Sequence, residues 1–386
     1  RKKDRISFVY TLDLELDNER IVLRNNRKKG VVEIAKSSYE YKRIEYTGKS
    51  PVIVGMGPAG LFCGLILSEL GFDPIILERG KDVDERAKDV DGFWKSGKLD
   101  TESNVQFGEG GAGTFSDGKL TTLIKDPRSR KILEYFVEAG APEEILYVNK
   151  PHIGTDILRE VVKNLRRRII KNGGTVKFNS KVTDLIIDNG IIQGVMVNNQ
   201  VAIQTDRVIL ALGHSARDTF YMIYEKGLNI QQKGFSIGVR IEHPQKLINM
   251  SQYGESFLHE KLGSAEYKLS GHYDNNRSAY TFCMCPGGYV VAASSEDDMV
   301  VTNGMSEHMR DNKNANSALL VSVSPSDFES LHPLAGVEFQ RKYERLAFIE
   351  GGSNYYAPVQ RVEDFLLDRD SISIGSIQPT YTPGTR

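Results

Sequence analysis

The sequence predicts an α/β fold built from three parts: a small N-terminal α+β unit, a Rossmann-like domain with a β-meander insertion, and a second domain with a mixed or antiparallel sheet. Three observations lead to this prediction. A strand, a glycine-rich turn, a helix and a second strand follow one another early in the chain. Several short strands lie in its middle, and apolar residues alternate in its last third. We place the domain boundaries at residues 1–49, 50–232 and 233–386.

The N-terminal unit is predicted to be strand-rich and incomplete. Residues 8–16 have the pattern of a strand, a charged connection covers 25–30, and residues 48–51 are typical of a linker. The chain begins at Arg1 and stops in a turn-like stretch at 383–386. We therefore expect a fragment that is cut at both ends.

The composition disfavours several classes of protein. The 386 residues include 40% hydrophobic and 26% charged residues with a net charge of −1, which are ordinary globular values. A charge so near zero disfavours a nucleic-acid partner, and the basic runs at 1–3 and 166–168 are expected to be solvated. No apolar run approaches the roughly 18–20 residues of a membrane span, and we find no signal peptide. Three cysteines are too few for a disulfide framework, so we expect a cytoplasmic protein.

The early segment is a complete βαβ unit of roughly 30 residues. Residues 52–54 are a short apolar run typical of a buried parallel strand, and 61–70 are predicted to form a helix that ends at Gly71. The second strand is predicted over 74–78. This order of elements is the setting in which a glycine-rich turn binds a dinucleotide.

The turn between the first strand and the helix has the spacing Gly55-x-Gly57-x-x-Gly60. Gly55 allows the sharp turn, Gly57 lets the backbone approach a pyrophosphate, and Gly60 lets the helix pack closely on the strand. Glu78, about 20 residues further on, can accept hydrogen bonds from a ribose, and its charge should repel the 2′-phosphate of NADP. We predict a dinucleotide site here.

A second glycine-rich stretch covers residues 107–120. Its Gly108, Gly110 and Gly113 also match the spacing of a dinucleotide turn. We reject a second Rossmann turn, because only residues 105–107 precede it and no clear amphipathic helix follows. A loop whose backbone N–H groups surround a cofactor fits this stretch better.

The middle of the chain is predicted to contain a helix and then a meander. The helix has Thr155 or Asp156 as its capping residue and ends at 172–174. Tight-turn signals separate the strands that follow it. These strands are predicted over 175–178, 182–187, 191–197 and 201–204. The meander then returns to a buried strand at 208–213.

The last third is predicted to form a second sheet. Phe235, Ile237, Val239 and Ile241 alternate and share one face of a strand. Further strands are predicted over 281–285, 289–293 and 319–323. We interpret them as a mixed or antiparallel sheet in a separate domain.

The ligand of the first glycine turn is predicted to be FAD rather than NAD. NAD dehydrogenases rarely interrupt the nucleotide sheet with a meander, whereas many flavoproteins with two dinucleotide folds do. The second glycine-rich loop also suits the pyrophosphate, ribityl chain or isoalloxazine ring of a flavin. An NAD-binding dehydrogenase and a non-catalytic flavin-binding regulatory module stay open as alternatives.

Several motifs resemble one known family. They lie at residues 54–62, 106–120, 150–156, 212–219, 282–288 and 303–306. The whole chain resembles the uncharacterised bacterial family of FAD-dependent dehydrogenases, also called NAD(FAD)-utilising dehydrogenases. The resemblance implies a glutathione-reductase-type FAD fold but no substrate. It also implies that a C-terminal segment that closes the flavin site is missing from this chain.

The candidate cofactor residues come from the two glycine-rich stretches and, through the resemblance, from the meander and the strand after it. They are Gly55, Gly57, Pro58, Ala59, Gly60, Glu78, Arg79, Gly108, Gly110, Gly111, Ala112, Gly113, Asp117, Lys119, Val182, Ala211, Leu212 and Gly213. The resemblance places Val182 where the meander backbone meets adenine and Ala211 to Gly213 beside the cofactor.

The catalytic residues are left open, with three candidates. Cys283 and Cys285 face the same way on a regular strand and could relay electrons, although two buried cysteines that only pack are the plainer interpretation. Histidine or cysteine at zinc spacing is missing, so no metal is expected. His214 could carry a proton to or from flavin or substrate, and a structural role is equally open.

The sequence therefore predicts an FAD-dependent oxidoreductase that passes two electrons through flavin. NAD(P)H is a possible transient donor, because we find no second nucleotide domain. The expected partner is a small-molecule substrate or a redox partner protein, with no nucleic acid and no membrane span.

Overall fold

A computed structural model describes residues 6–26, 30–34, 39–122 and 124–386. The basic run at 1–3 and part of the charged connection, residues 27–29, lie outside the described residues. The helices are α1 Glu19–Asn26, α2 Pro58–Leu70, α3 Val83–Ser96, α4 Pro127–Glu138, α5 Thr155–Lys171, α6 Arg217–Glu225, α7 Gln245–Tyr253, α8 Ala335–Glu350 and α9 Val362–Leu366. The strands are β1 Val52–Val54, β2 Ile75–Leu77, β3 Thr175–Lys177, β4 Val182–Asp188, β5 Ile191–Val197, β6 Val201–Gln204, β7 Val208–Leu210, β8 Phe235–Pro244, β9 Ser270–His272, β10 Ser278–Cys285, β11 Tyr289–Ala292, β12 Thr302–Met305 and β13 Asn314–Val323.

The N-terminal segment differs from the prediction. Residues 8–16 form no strand with any part of the chain that the structure describes, and Val9 is 87% exposed. Helix α1 follows them instead. An alternating pattern becomes a strand only where another strand pairs with its backbone, so the predicted strand is wrong.

The first sheet is parallel and has the strand order β3-β2-β1-β7. Val52 of the fully buried β1 pairs with Ile75 on one side and with Val208 on the other. Helix α2 packs closely on this sheet, since a Cβ at Gly64 would lie 2.3 Å from Cδ1 of Ile76. The predicted βαβ unit is confirmed, including the left-handed Gly71 that ends α2.

The strand at residues 175–177 corrects the predicted meander. It pairs in parallel with β2, because it follows α5 and completes a crossover on the first sheet. The meander itself has three strands, β4, β5 and β6, joined in antiparallel order. Asn189 and Gly190 both have positive φ at its first turn, as a type I′ hairpin requires.

The return strand is shorter and less buried than predicted. Strand β7 ends at Leu210, which is 38% exposed. The amide of Ala211 still donates to the carbonyl oxygen of Val54 of β1 at 2.9 Å, so the chain leaves the sheet only after Ala211.

The start of α5 also differs from the prediction. Gly154 is its capping position, and no side chain caps the helix within the described residues. The Thr155 hydroxyl donates to the carbonyl oxygen of Thr114 at 2.7 Å, and Asp156 accepts from the amide of His308 at 2.9 Å. Both side chains connect the helix to distant segments instead of capping it.

The last third forms the predicted antiparallel sheet, in the order β8-β13-β10-β9, beside a β11–β12 hairpin. Phe235 and Ile237 pack against the cluster around Phe328, whereas Val239 is 59% exposed. Phe235, Ile237 and Ile241 on the predicted apolar face of β8 are therefore only half-buried, and the face is exposed in its middle at Val239. The mixed α/β architecture is confirmed, and the described residues form one parallel sheet and several antiparallel ones.

Helix α3 joins the first sheet to the last third of the chain. The Trp94 indole of α3 donates to the carbonyl oxygen of Ala292 at 2.9 Å. A second connection comes from Arg217 at the start of α6, which forms an ion pair with Glu344 of α8.

Among the described residues, no helix combines the length and apolarity that crossing a bilayer requires.

Candidate functional site

A cleft of about 830 Å³ opens at the carboxyl ends of β1, β2 and β7. In open parallel sheets, ligands bind outside these strand ends. Both glycine-rich stretches, the return strand and residues 301–303 of the last third supply its walls. The lining residues are Val54, Gly55, Gly57, Pro58, Ala59, Leu77, Glu78, Arg79, Gln106, Phe107, Gly108, Gly111, Ala112, Gly113, Ser180, Lys181, Val182, Leu210, Ala211, Leu212, Gly213, His214, Ser215, Ala216, Thr219, Val301, Thr302 and Asn303.

The first glycine turn leaves room for a ligand at only one of its three glycines. Gly55 has φ of 98°, and a Cβ there would lie 2.5 Å from the carbonyl oxygen of Ala211. A Cβ at Gly60 would lie 1.9 Å from the carbonyl oxygen of Gly55. The nearest atom to a Cβ at Gly57 is 3.9 Å away, on Gly111. Gly55 and Gly60 thus allow the turn and the helix packing, and Gly57 faces the open cleft.

The amino end of α2 points at the same part of the cleft. Pro58 occupies the first turn of the helix and has no N–H to leave unpaired. The first intrahelical hydrogen bond runs from Leu61 to Gly57, so the amides of Ala59 and Gly60 precede the ladder. These groups and the helix dipole favour a bound anion.

Glu78 braces the cleft from below. Its side chain is 4% exposed and accepts hydrogen bonds from the amides of Met56 at 2.7 Å and of Gly80 and Gly108 at 2.9 Å. An ionised carboxylate has about four acceptor positions, so one is left for the predicted ribose hydroxyl. The same carboxylate therefore connects the first glycine turn to the second glycine-rich loop.

The second glycine-rich loop packs directly on the first turn. Gly108, Gly110 and Gly111 have φ of 121°, 80° and 61°, and a short 3₁₀ helix, Gly111–Phe115, follows. A Cβ at Gly111 would lie 2.8 Å from the Cα of Gly57. Within residues 39–122, no strand leads into this loop and no α-helix leaves it. The rejection of a second Rossmann turn is confirmed.

Arg86 of α3 holds this loop in place and is not among the residues predicted from the sequence. Its side chain is 0% exposed and donates to the carbonyl oxygens of Asn104, Val105, Glu109 and Gly111 at 2.7–2.9 Å. Burial lowers the pKa of Arg86 to about 10, so it stays charged at neutral pH. The available signal was an arginine on the apolar face of α3, between Val83 and Val90.

Asp117 and Lys119, two of the predicted cofactor residues, do not line the cleft. Asp117 is buried and accepts from Lys119 at 2.6 Å, from Nε of Arg310 at 2.9 Å, and from Ser306. Burial alone would raise the pKa of Asp117, but Lys119 and Arg310 outweigh it and bring the pKa to about 2. The two residues therefore connect the loop to the last third of the chain.

Two other predicted cofactor residues, Gly60 and Gly110, also lie outside the lining of the cleft.

The far part of the cleft carries charge and one histidine. Arg79 lies 4.2 Å from the ring centroid of Phe107 and forms ion pairs with Glu102 and Asp218. His214 lies on the lining with Nδ1 2.8 Å from the Ser215 hydroxyl. Burial, and then the nearby charge of Arg217, lower the pKa of His214. His214 is therefore neutral at neutral pH and can either donate or accept a hydrogen bond.

The two cysteine candidates lie on β10, outside the cleft lining. They do not sit on a regular strand as predicted, because a bulge interrupts β10 between Phe282 and Cys285. In the described part of the chain, no group of three or more His, Cys, Asp or Glu residues could hold a metal ion.

Comparison with known proteins places the chain in a family. An uncharacterized protein of Clostridium beijerinckii is 49% identical to it over 387 residues, a match that covers 100% of this chain and 72% of the relative. This chain belongs to the same family as the clostridial protein. Residues 234–386 also match the family model described as "FAD-dependent protein, C-terminal domain-like". With the cleft, this match supports FAD as the cofactor of the chain.

Solved structures resemble the chain more distantly. THI4 from Thermovibrio ammonificans is 20% identical with a TM-score of 0.30, and the match covers 47% of this chain and 64% of that one. The flavin-dependent brominase Bmp2 is 13% identical with a TM-score of 0.37, and the match covers 79% of this chain and 62% of that one. The chain thus spans less than two thirds of each, and TM-scores this low say nothing about its reaction.

Proposed function

We propose that this protein is an FAD-dependent oxidoreductase that holds FAD in the cleft and exchanges two electrons with a substrate. The observation that carries the proposal is the pairing of two glycine-rich segments across one anion-binding helix end, where Gly111 lies against Gly57. A cleft of about 830 Å³ is of the size that cofactor sites have, roughly 300–1,000 Å³.

The residues present fit the ADP half of FAD. The amide of Ala59, at the positive end of α2, would hold the pyrophosphate, and the open face of Gly57 would let it approach. The remaining acceptor position of Glu78 would take a ribose hydroxyl. Val182 would lie by the adenine.

The other end of the cleft suits the reactive half. Ala211, Leu212 and Gly213 supply backbone beside the return strand, and a Cβ at Gly213 would meet nothing within 4 Å. The bound flavin would supply two-electron exchange. His214, uncharged and fixed by Ser215, would hold or release a proton at a ring nitrogen.

The experiment is an anaerobic titration of the purified protein, after incubation with FAD, with NADH and with NADPH. Bound flavin absorbs at about 450 nm, and loss of this absorbance reports its reduction. Reduction by either nucleotide supports an oxidoreductase with a nicotinamide donor. Bound flavin that neither nucleotide reduces removes that donor. If dithionite reduces the flavin but no organic donor does, the alternative of a non-catalytic flavin-binding module gains support. Binding of NAD in place of FAD would overturn the proposal.

A further inference from the structure

Cys283 and Cys285 lie at a distorted point of β10. Phe282 pairs with Ala318 of β13, and the next pair is Cys285 with Asn316. Two residues of β10 therefore lie opposite one residue of β13, which is a bulge. Cys283 takes up the extra length with φ of 45°. This left-handed conformation is uncommon for a residue other than glycine, and bulges often redirect a side chain. Strained positions of this kind cluster at functional sites.

The distortion brings the two cysteines into contact. The Cys285 thiol donates to the carbonyl oxygen of Cys283 at 3.3 Å. Cys285 is fully buried, whereas Cys283 is partly exposed. One cysteine is thus partly open to a reagent, and the other is buried beside it. This is the order of access that an attacking thiol and a resolving thiol need.

The charges around the pair favour a thiolate at Cys283. The neighbouring Cys285 side chain lowers the pKa of Cys283 most strongly; burial opposes this effect, and the positive charges of Lys119 and Arg240 add to it. Asp117 acts in the opposite direction. The neighbouring Cys283 side chain and burial raise the pKa of Cys285. The accessible cysteine is therefore the more acidic of the two.

The pair is connected to the wall of the cleft through Arg240. Nη2 of Arg240 lies 3.5 Å from the carbonyl oxygen of Cys283. A Cβ at Gly304 would lie 2.6 Å from both Nη atoms of Arg240, and the preceding residue, Asn303, lines the cleft. Lys119, whose charge acts on Cys283, belongs to the glycine-rich loop whose Gly113 lines the cleft.

We propose that Cys283 and Cys285 form a redox-active dithiol that exchanges with small disulfides. The Cys283 thiolate attacks one sulfur of the disulfide, forms a mixed disulfide and releases the first thiolate. Cys285 then gives its proton to the released thiolate and attacks the Cys283 sulfur, which closes the intramolecular disulfide and releases the second thiolate. Two protein thiols are oxidised, and one external disulfide is reduced to two thiols. This exchange does not depend on the proposed flavin chemistry.

The test uses the intact protein, oxidised glutathione as the probe, and mass spectrometry of the product. We expect the wild type to lose the mass of two hydrogen atoms, with both cysteines in one disulfide. Cys285→Ser should stop at a glutathione adduct on Cys283, and Cys283→Ser should gain no adduct on Cys285. Cys63→Ser should behave as the wild type, because burial raises the pKa of Cys63.

A second measurement, on the wild type alone, needs no variant to fold. At pH 7, iodoacetamide should modify Cys283 at least about tenfold faster than Cys63, since the thiolate is the reactive form. Equal rates at the two residues, or a stable glutathione adduct on Cys283 that never closes onto Cys285, would overturn the proposal. The flavin absorbance of the same samples reports cofactor binding independently, so failure of either proposal is seen separately.

Discussion

The amide of Gly108 donates a 2.9 Å hydrogen bond to the Glu78 carboxylate and so fastens the second glycine-rich loop to the end of β2. The other bonds of this carboxylate reach Met56 and Gly80. One buried side chain therefore positions both walls of the cleft. The charge of Glu78 serves the protein's own backbone amides as well as any ligand.

Replacement of Glu78 by glutamine should loosen both walls. The amide nitrogen of glutamine would face backbone N–H donors and leave at least one buried donor unpaired, which costs about 1–3 kcal/mol. We expect a matching loss in the free energy of unfolding, measured by urea denaturation, together with weaker FAD binding. The control Glu85→Gln, on the exposed face of α3, should leave both quantities unchanged. A stable Glu78→Gln variant with normal FAD affinity would contradict the bracing role.

Replacement of Arg86 by lysine should destabilise the protein although the positive charge is kept. Lysine keeps the charge, but its single ammonium group cannot reach the carbonyl oxygens that the guanidinium fork spans. We expect about 2–4 kcal/mol of lost stability. We also expect faster proteolysis of residues 104–111. The control is Arg167→Lys on the exposed face of α5. Unchanged cleavage in the Arg86 variant would show that the loop holds its shape without this residue.

Asp117 should make the protein sensitive to acid. Its folded pKa of about 2 lies below the ordinary 3.8, so its contribution is complete above pH 3.8 and is lost as the pH falls through 2. A shift of this size corresponds to about 2–3 kcal/mol. Asp117→Asn should lower stability at pH 7 and flatten its dependence between pH 4 and 2. Asp91→Asn, on the exposed face of α3, is the control, and urea denaturation at each pH is the measurement. Wild-type stability that stays constant across this interval would exclude the role.

Protonation of His214 should determine the acid limb of the pH profile of kcat for any flavin-dependent turnover. Burial and Arg217 lower its pKa, so protonation begins only below its ordinary value of 6.5. We expect kcat to fall as the pH drops below that value, because the positive charge removes the ring nitrogen as an acceptor. His214→Gln should lower kcat and abolish this limb, whereas His332→Gln, on an exposed loop, should change neither. An acid limb that persists in His214→Gln would assign it to another group.

The parallel sheet and the first glycine turn could be predicted because their signals are local. Three apolar residues at 52–54, the glycine spacing and Gly71 lie within one βαβ unit, and short-range sterics determine its shape. The meander turns were equally local. The pairing of residues 175–177 was not, because a strand's partner depends on where the preceding helix returns it.

The remaining features depend on contacts between distant parts of the chain. Arg310, which binds Asp117 outside the cleft, is 193 positions away in the chain. The carbonyl oxygens that Arg86 binds lie in an irregular loop with no periodicity to read. The bulge at Cys283 arises from a mismatch with β13, which no pattern within β10 reveals.

The most direct test compares FAD binding to Gly57→Ala and Gly92→Ala. Both glycines have room for a Cβ in the folded chain, so both variants should fold, but only Gly57 lines the cleft. We expect the Gly57→Ala methyl group to take space that the pyrophosphate needs and to weaken FAD binding by at least about tenfold in a calorimetric titration. Gly92→Ala should bind as the wild type does. Equal affinity of the two variants would contradict an FAD site at the first glycine turn.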